Sequence, residues 1–294
     1  KGYYNKELSK LFDKYPSKEI SADLVNRIPS QNVLAAFVMN YPPEGLKEFM
    51  KVIGVDGMVN GFLGKANYSI EEFIKANKGD IIIAVTDLAV ANRIDTINIP
   101  GGEPMTHSNS RPDAKVLFAT SINDRAAFDK LIGTVKAQGG DEFSQGIPDI
   151  TYNLNNNWFA VSNSKEHVTK FLAGGNNNHA FTAKISGHPF GAYIDIQKIL
   201  KSTQSVMKDT SDMETFNASL QMWQDIVITG GEYKNDALSA QFEVNLVNKN
   251  VNSLKQLNGY FDQLSKSIKS RQRPNDEYSI DTVPPAVELP STEN

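Results

Sequence analysis

The second half of this chain repeats the plan of its first, and nothing else in the sequence constrains the fold as tightly. Asp80-Ile81-Ile82-Ile83 returns as Asp225-Ile226-Val227-Ile228. Each copy follows a small-and-aromatic strand, Ala35-Ala36-Phe37 in one case and Gly191-Ala192-Tyr193 in the other. Each leads on to an Asp-Ala pair, a second strand and a helix. Two β-α-β-β-α units with antiparallel sheet covered by helices, an α+β fold, are therefore expected. The division reads as N-terminal helices over 1–30, a first unit with an extra hairpin and helix over 31–175, a second unit over 176–273, and an extended or disordered tail over 274–294.

Periodicity fills in the elements. Leu8, Leu11, Phe12 and Tyr15 share one face of an opening helix, and a short helix after Ser21 stops at Pro29. Val33 to Met39 is apolar at every position, the mark of a buried strand. Pro42-Pro43-Glu44 opens a helix carrying Leu46, Phe49, Met50 and Ile53. Gly54, Gly57, Gly61 and Gly64 read as turns or close packing, since no Gly-Lys-Ser/Thr follows to make a phosphate loop. Asn123 is the expected cap of the helix bearing Phe128, Leu131 and Ile132. Ile150–Leu154 and Trp158–Ser162 form a hairpin, followed by a helix with Val168, Phe171 and Leu172.

In the second unit, Asp195 caps a helix, and Asn235-Asp236 turns one strand into the next. Leu238, Ala240, Phe242, Val244 and Leu246 alternate with polar residues, so that strand should have one wet face. Val251, Leu254, Leu257, Phe261, Leu264 and Ile268 make a helical stripe expected to face the core. Asp80 and Asp113 stand 33 residues apart but Asp225 and Asp236 only 11, so the first hairpin carries 22 more, roughly Leu88 to Pro112. A loop of that length is expected to be functional or disordered.

Composition excludes several classes of function. The net charge is −4 and the 30 Lys and Arg are scattered, which argues against nucleic acid. The cluster Lys266, Lys269, Arg271 and Arg273 ends a helix, where cations complement the dipole. With no cysteine there is neither disulfide nor thiolate chemistry. No run of about 18 apolar residues exists to span a membrane.

The segment Asp23-Leu24-Val25-Asn26-Arg27-Ile28-Pro29, with Val33-Leu34-Ala35-Ala36-Phe37, Pro43-Glu44-Gly45-Leu46-Lys47-Glu48-Phe49 and Lys78-Gly79-Asp80-Ile81-Ile82-Ile83-Ala84-Val85, covers about residues 20–90. It resembles a domain-of-unknown-function family of cell-envelope lipoproteins from Gram-negative gut anaerobes. The resemblance implies an exported protein in the periplasm or at the outer membrane. Its only hold on the membrane would be an acylated cysteine upstream of Lys1. The family carries no catalytic residues to transfer.

Direct signals of chemistry are few. His107, His167, His179 and His188 are far apart and form no metal-binding pair, so neither metal nor cofactor is expected. Asn153, Asn155 and Asn157 imitate a calcium loop, but Trp158 and Ser164 stand where glycine and glutamate belong. Ser162/Lys165 and Ser205/Lys208 have a serine–lysine spacing without its companion motifs, and there is no G-x-S-x-G. The pairs Glu71-Glu72 and Asp141-Glu142 diverge as neighbours. Trp158 beside its asparagines could stack on a sugar, joined by Asn156, His107 and His179 if their loops converge; the competing reading puts Trp158 in the core. The expected function is a non-enzymatic binding or assembly module of the envelope whose partner is an envelope protein or a glycan. The alternative is a glycan-active hydrolase of the envelope with carboxylates brought together by the fold.

Overall fold

The computed structural model describes residues 2–3, 6–97, 105–139, 150–204 and 210–271, without the side chains of 2–3, 91–97, 107–111, 138–139, 210–212 and 270–271. The fold is α+β, built on a single antiparallel sheet. Its strands are β1 (Gly2–Tyr3), β2 (Val33–Asn40), β3 (Asn77–Ile97), β4 (Met105–Ile122), β5 (Thr151–Leu154), β6 (Trp158–Ser162), β7 (Phe190–Asp195), β8 (Trp223–Lys234) and β9 (Ala237–Leu246). They lie in the order β1-β9-β8-β7-β2-β3-β4-β6-β5.

The central contact is β2 against β7, with Ala36 opposite Tyr193 and Phe37 opposite Ala192. Segments 31–175 and 176–273 therefore share one sheet. They also share one core, because Val38, Ile82 and Trp158 cluster with Ile185, Tyr193 and Val227. Ile20, Val25 and Ile28 from the N-terminal stretch enter the same cluster.

Helices are started by local chemistry. Ser21 caps α2 (Ala22–Val25) and Asp195 caps α9 (Ile196–Thr203), each accepting a first-turn amide. Ser69 and Glu72 close a reciprocal capping box on α5 (Ile70–Ala76). The cap of α6 (Arg125–Gly139) is Asp124, whose Oδ1 accepts from the Ala127 amide at 2.8 Å. The expected cap, Asn123, instead donates its side-chain amide to the Lys75 carbonyl. Asn235 and Asp236 both adopt positive φ, 54° and 57°, as a tight hairpin turn requires.

The covered face of the sheet presents Ala36, Val38, Ile82, Ala84, Leu117 and Ala119, all buried. Against them pack α2, α7 (Lys165–Leu172) and α8 (Thr182–Ile185) through Val25, Val168, Phe171 and Ile185. Small residues let the helices approach closely: a Cβ on Gly191 would lie 2.5 Å from Cβ of Ile185. The opposite face is also apolar. One row crosses eight strands in register, Phe242–Ile228–Ala192–Phe37–Ile83–Phe118–Val161–Tyr152. None of these eight is buried, and Phe242 is 63% exposed. Helices α1 (Lys6–Lys14), α3 (Leu46–Val52), α5 and α6 contribute walls to cavities floored by this face beside Met39, Ile81 and Phe159.

Several expectations are corrected. The stretch from Leu88 to Pro112 is no loop within the described residues. It continues the β3–β4 ladder from Ala89 opposite Asp113 out to Ile97 opposite Met105, because main-chain pairing satisfies its polar backbone. The glycine-punctuated segment forms α4 (Asp56–Lys65), a helix with no buried residue. A helix without clear periodicity, α10 (Thr210–Met222), precedes β8. The stripe of α11 (Ser253–Arg271) does not reach a core. It meets α10 and β8 through Tyr260, which stacks edge-on to Trp223 and hydrogen-bonds Ser219, leaving Leu254, Phe261 and Ile268 exposed. The wet-face pattern of β9 is likewise not matched by burial, since Phe242 and Val244 stay exposed. Ser205 and Lys208, Asp141 and Glu142, residues 98–104 and the tail 274–294 lie outside the described residues.

Candidate functional site

The strands β2, β3, β4 and β6 are apolar on both sides, so each inherits a second face that the covering helices cannot bury. At one end of that face the sheet and helices enclose two adjoining cavities, of about 520 and 600 Å³. Tyr41, Phe73 and Ile81 line both, so the two meet at a common wall. Such volumes fall in the range of small-molecule sites, roughly 300–1,000 Å³.

The first cavity lies between the sheet and α6. Phe118, Phe159 and Val161 form its floor, and Leu131, Ile132 and Val135 line it from α6. Local sequence makes this possible: residues 131, 132 and 135 share one helical face, while 159 and 161 alternate along β6. Phe128 closes the inner end, 5.4 Å from the Phe159 ring. The second cavity is lined by Leu11 and Phe12 of α1, Leu46 and Phe49 of α3, and Met39 of β2.

Two polar side chains of the lining are already engaged. Asn77 donates to the Phe73 carbonyl at 2.8 Å, and Thr120 donates to the Asp80 carbonyl at 3.0 Å. Burial pushes the Tyr41 hydroxyl up to about 12, so it remains neutral. One cation marks the rim: Lys136, whose ammonium sits 5.2 Å from the Tyr152 ring centre. Among the described residues neither lining includes a carboxylate. The trough therefore offers hydrocarbon contact along its length and a positive charge at one end.

The residues singled out in the sequence do not form this site. Trp158 is 8% exposed, edge-on to Phe171 at 5.4 Å and covered by the Arg27 guanidinium at 5.2 Å. A ring so placed has no face left for a sugar. His179 is 5% exposed, stacked on Phe181, with Nε2 3.3 Å from the Ile28 carbonyl oxygen. Burial lowers its pKa, which keeps the imidazole neutral. Asn156 is exposed in the β5–β6 turn, which is shaped by Asn155 accepting the amides of Asn157 and Trp158 at 2.9 Å each. His107 pairs with Asp95 on the β3–β4 ribbon, and its side chain lies outside the described residues. None of His107, Asn156, Trp158 and His179 lines the trough.

Glu71 and Glu72 also have structural partners, in Lys47 and in Ser69 with Lys130. Among the described residues no group of three His, Asp or Glu side chains is arranged to hold a metal ion. No described helix is long and apolar enough to cross a membrane. What the sequence reading missed is the second apolar face. Its signal was present in the unbroken runs of β2 and β3, which carry no polar position to turn toward water.

Comparison with known proteins adds no further constraint. No family model, no curated protein and no solved structure matches the chain.

Proposed function

We propose that this protein is a binding module for an anionic amphiphile, a molecule with an aliphatic chain and an acidic head, held in the trough beside α6. The observation that carries the reading is a lined, solvent-reachable apolar cavity in which Asn77 and Thr120 are bonded internally and whose lining includes Lys136. A soluble domain does not leave apolar surface of this extent uncovered without use. For the trough the reading is binding or assembly rather than chemistry, since among the described residues neither lining includes a carboxylate. The glycan-hydrolase alternative finds no support in the trough.

The resemblance over residues 20–90 supports placing the module in the cell envelope, held by a lipid anchor upstream of Lys1. The run β2–β3–β4 with α3 to α5 inserted after β2, and β7–β8–β9 with α9 and α10 inserted after β7, supports reading the chain as a duplication.

Titration calorimetry with a series of saturated fatty acids tests this. Each buried methylene is worth about 0.8 kcal/mol, so removing two carbons should weaken binding roughly fifteenfold until the chain outgrows the cavity. Lys136→Glu should weaken the acids and spare the corresponding alcohols. Binding that ignores chain length, or no binding at all, would sink the proposal.

A further inference from the structure

A third cavity, of about 480 Å³, lies on the other side of the sheet from the trough and has a different character. Its lining includes Ser30, Lys115, Lys170 and Asn177, and with them Asp87, Ser164 and His167. These last three are linked. Ser164 Oγ lies 2.8 Å from His167 Nδ1, and His167 Nε2 lies 3.0 Å from Asp87 Oδ2. Asp87 Oδ1 accepts from the Ser30 hydroxyl at 2.7 Å, and Thr86 Oγ1 stands 3.1 Å from His167 Nε2. The imidazole is nearly buried.

The partners fix the protons. An ionised carboxylate only accepts, so in the neutral ring Nε2 carries the hydrogen. Nδ1 then presents its lone pair, and the Ser164 hydroxyl donates to it. That is the proton arrangement of a serine–histidine–aspartate triad, with the two ring nitrogens exchanged relative to the serine-protease template. Asp87 is held at the bulge that interrupts the β3–β4 ladder between Thr86 and Ala89, with φ +53°, a conformation that aspartate tolerates. Ser164 caps α7, so the amides of Lys165 and Glu166, which have no partner within the helix, lie beside its hydroxyl.

We infer that Ser164, His167 and Asp87 form a hydrolytic centre for carboxylic esters of a polar alcohol. Ser164 Oγ attacks the ester carbonyl while its proton passes to His167 Nδ1. The first-turn amides of α7 face the oxygen that gains charge. The carbon–oxygen bond to the alcohol breaks, and His167 returns the proton to the leaving oxygen. Water then attacks the acyl-serine, giving its proton to His167, and the carboxylic acid departs as Ser164 recovers its hydrogen. Asp87 keeps the ring in the productive tautomer and stabilises the imidazolium. Its lining of lysines, amides and the Glu166 carboxylate favours a polar ester over the aliphatic chain proposed for the trough, so the two sites stand or fall separately.

The test uses the full chain with p-nitrophenyl acetate and a fluorophosphonate probe, with peptide mass spectrometry to locate the adduct. The expected result is an adduct on Ser164 and turnover above a buffer control. Ser164→Asn retains an N-cap of equal quality and so should fold, yet lose both label and turnover. Asp87→Asn tolerates the same backbone but favours the wrong tautomer, and should slow turnover on the order of a thousandfold while displacing its pH profile. An unlabelled Ser164 in the wild-type chain, or turnover unchanged in Ser164→Asn, would overturn the inference. The three residues would then be a strut tying the start of α7 to the β3 bulge.

Discussion

The two faces of the sheet are built from the same strands and are both apolar, and they meet different fates. On one, Ala36, Ala84, Leu117 and Ala119 are sealed under α2, α7 and α8. On the other, Phe37, Ile83, Phe118 and Val161 keep contact with solvent, and the helices on that side close only one end. The size of the side chains accounts for part of the difference. Alanines make a flat bed on which short helices seat closely. Large residues such as Phe37 and Phe118 stand too tall for that, and helices carried above them leave cavities. One face is therefore sealed into the core, and the other keeps the open trough proposed as the binding site.

That contrast can be broken first by truncation. Phe171 is 0% exposed and its ring meets Trp158, so Phe171→Ala should cost about 3–5 kcal/mol. Phe118, 37% exposed on the open face, should cost less than half as much when cut to alanine, with the midpoint of urea unfolding as the measure. Equal losses would mean that something covers the open face in solution.

A smaller effect distinguishes the faces by pH. The His179 ring lies on the covered side and its pKa is lowered by burial. A base with a depressed folded pKa leaves the unfolded chain holding more protons, so stability is complete above the unfolded value near 6.5 and declines as pH falls below it. His179→Phe should flatten the fall in stability between pH 6.5 and 5, read from melting temperatures across that range. A slope unchanged by the substitution would assign the acid sensitivity elsewhere.

The smallest change in stability is expected at Phe242, near the edge of the open face. Phe242→Lys should alter the unfolding free energy by no more than about 0.5 kcal/mol. It should also reduce binding of an apolar dye, because it interrupts the exposed row. A clear loss of stability there would show that the row is packed rather than open.

Much of this architecture is legible residue by residue. The hairpin at Asn235-Asp236, the cap at Asp195 and the strand Val33–Asn40 each follow from short-range rules, and each is found where those rules put it. The cap of α6 misses by one residue because Asn123 and Asp124 are both competent, and the Lys75 carbonyl attracts the first. The α11 stripe misleads for another reason. Periodicity shows that Leu254, Phe261 and Ile268 share a face but says nothing about whether a neighbour arrives to cover it. The candidate site was invisible for the same cause: Phe118, Ile132 and Phe159 belong to three elements, and no spacing rule joins them.

The sequence by itself did not reveal the β3–β4 ribbon, α4 or α10, but it determined the strands and helices with a clear period, the turn at Asn235-Asp236, and which side chains share each strand face. Those are contests among residues a few positions apart, decided by backbone preference, capping and alternation. Only the tertiary structure decided which apolar face the helices would seal and which would remain as a trough. It alone brought Asp87 within hydrogen-bonding reach of His167, 80 residues further along the chain. Burial and long-range contact depend on how whole elements pack, and a strand that is apolar on both sides carries no mark of the side its neighbours will choose.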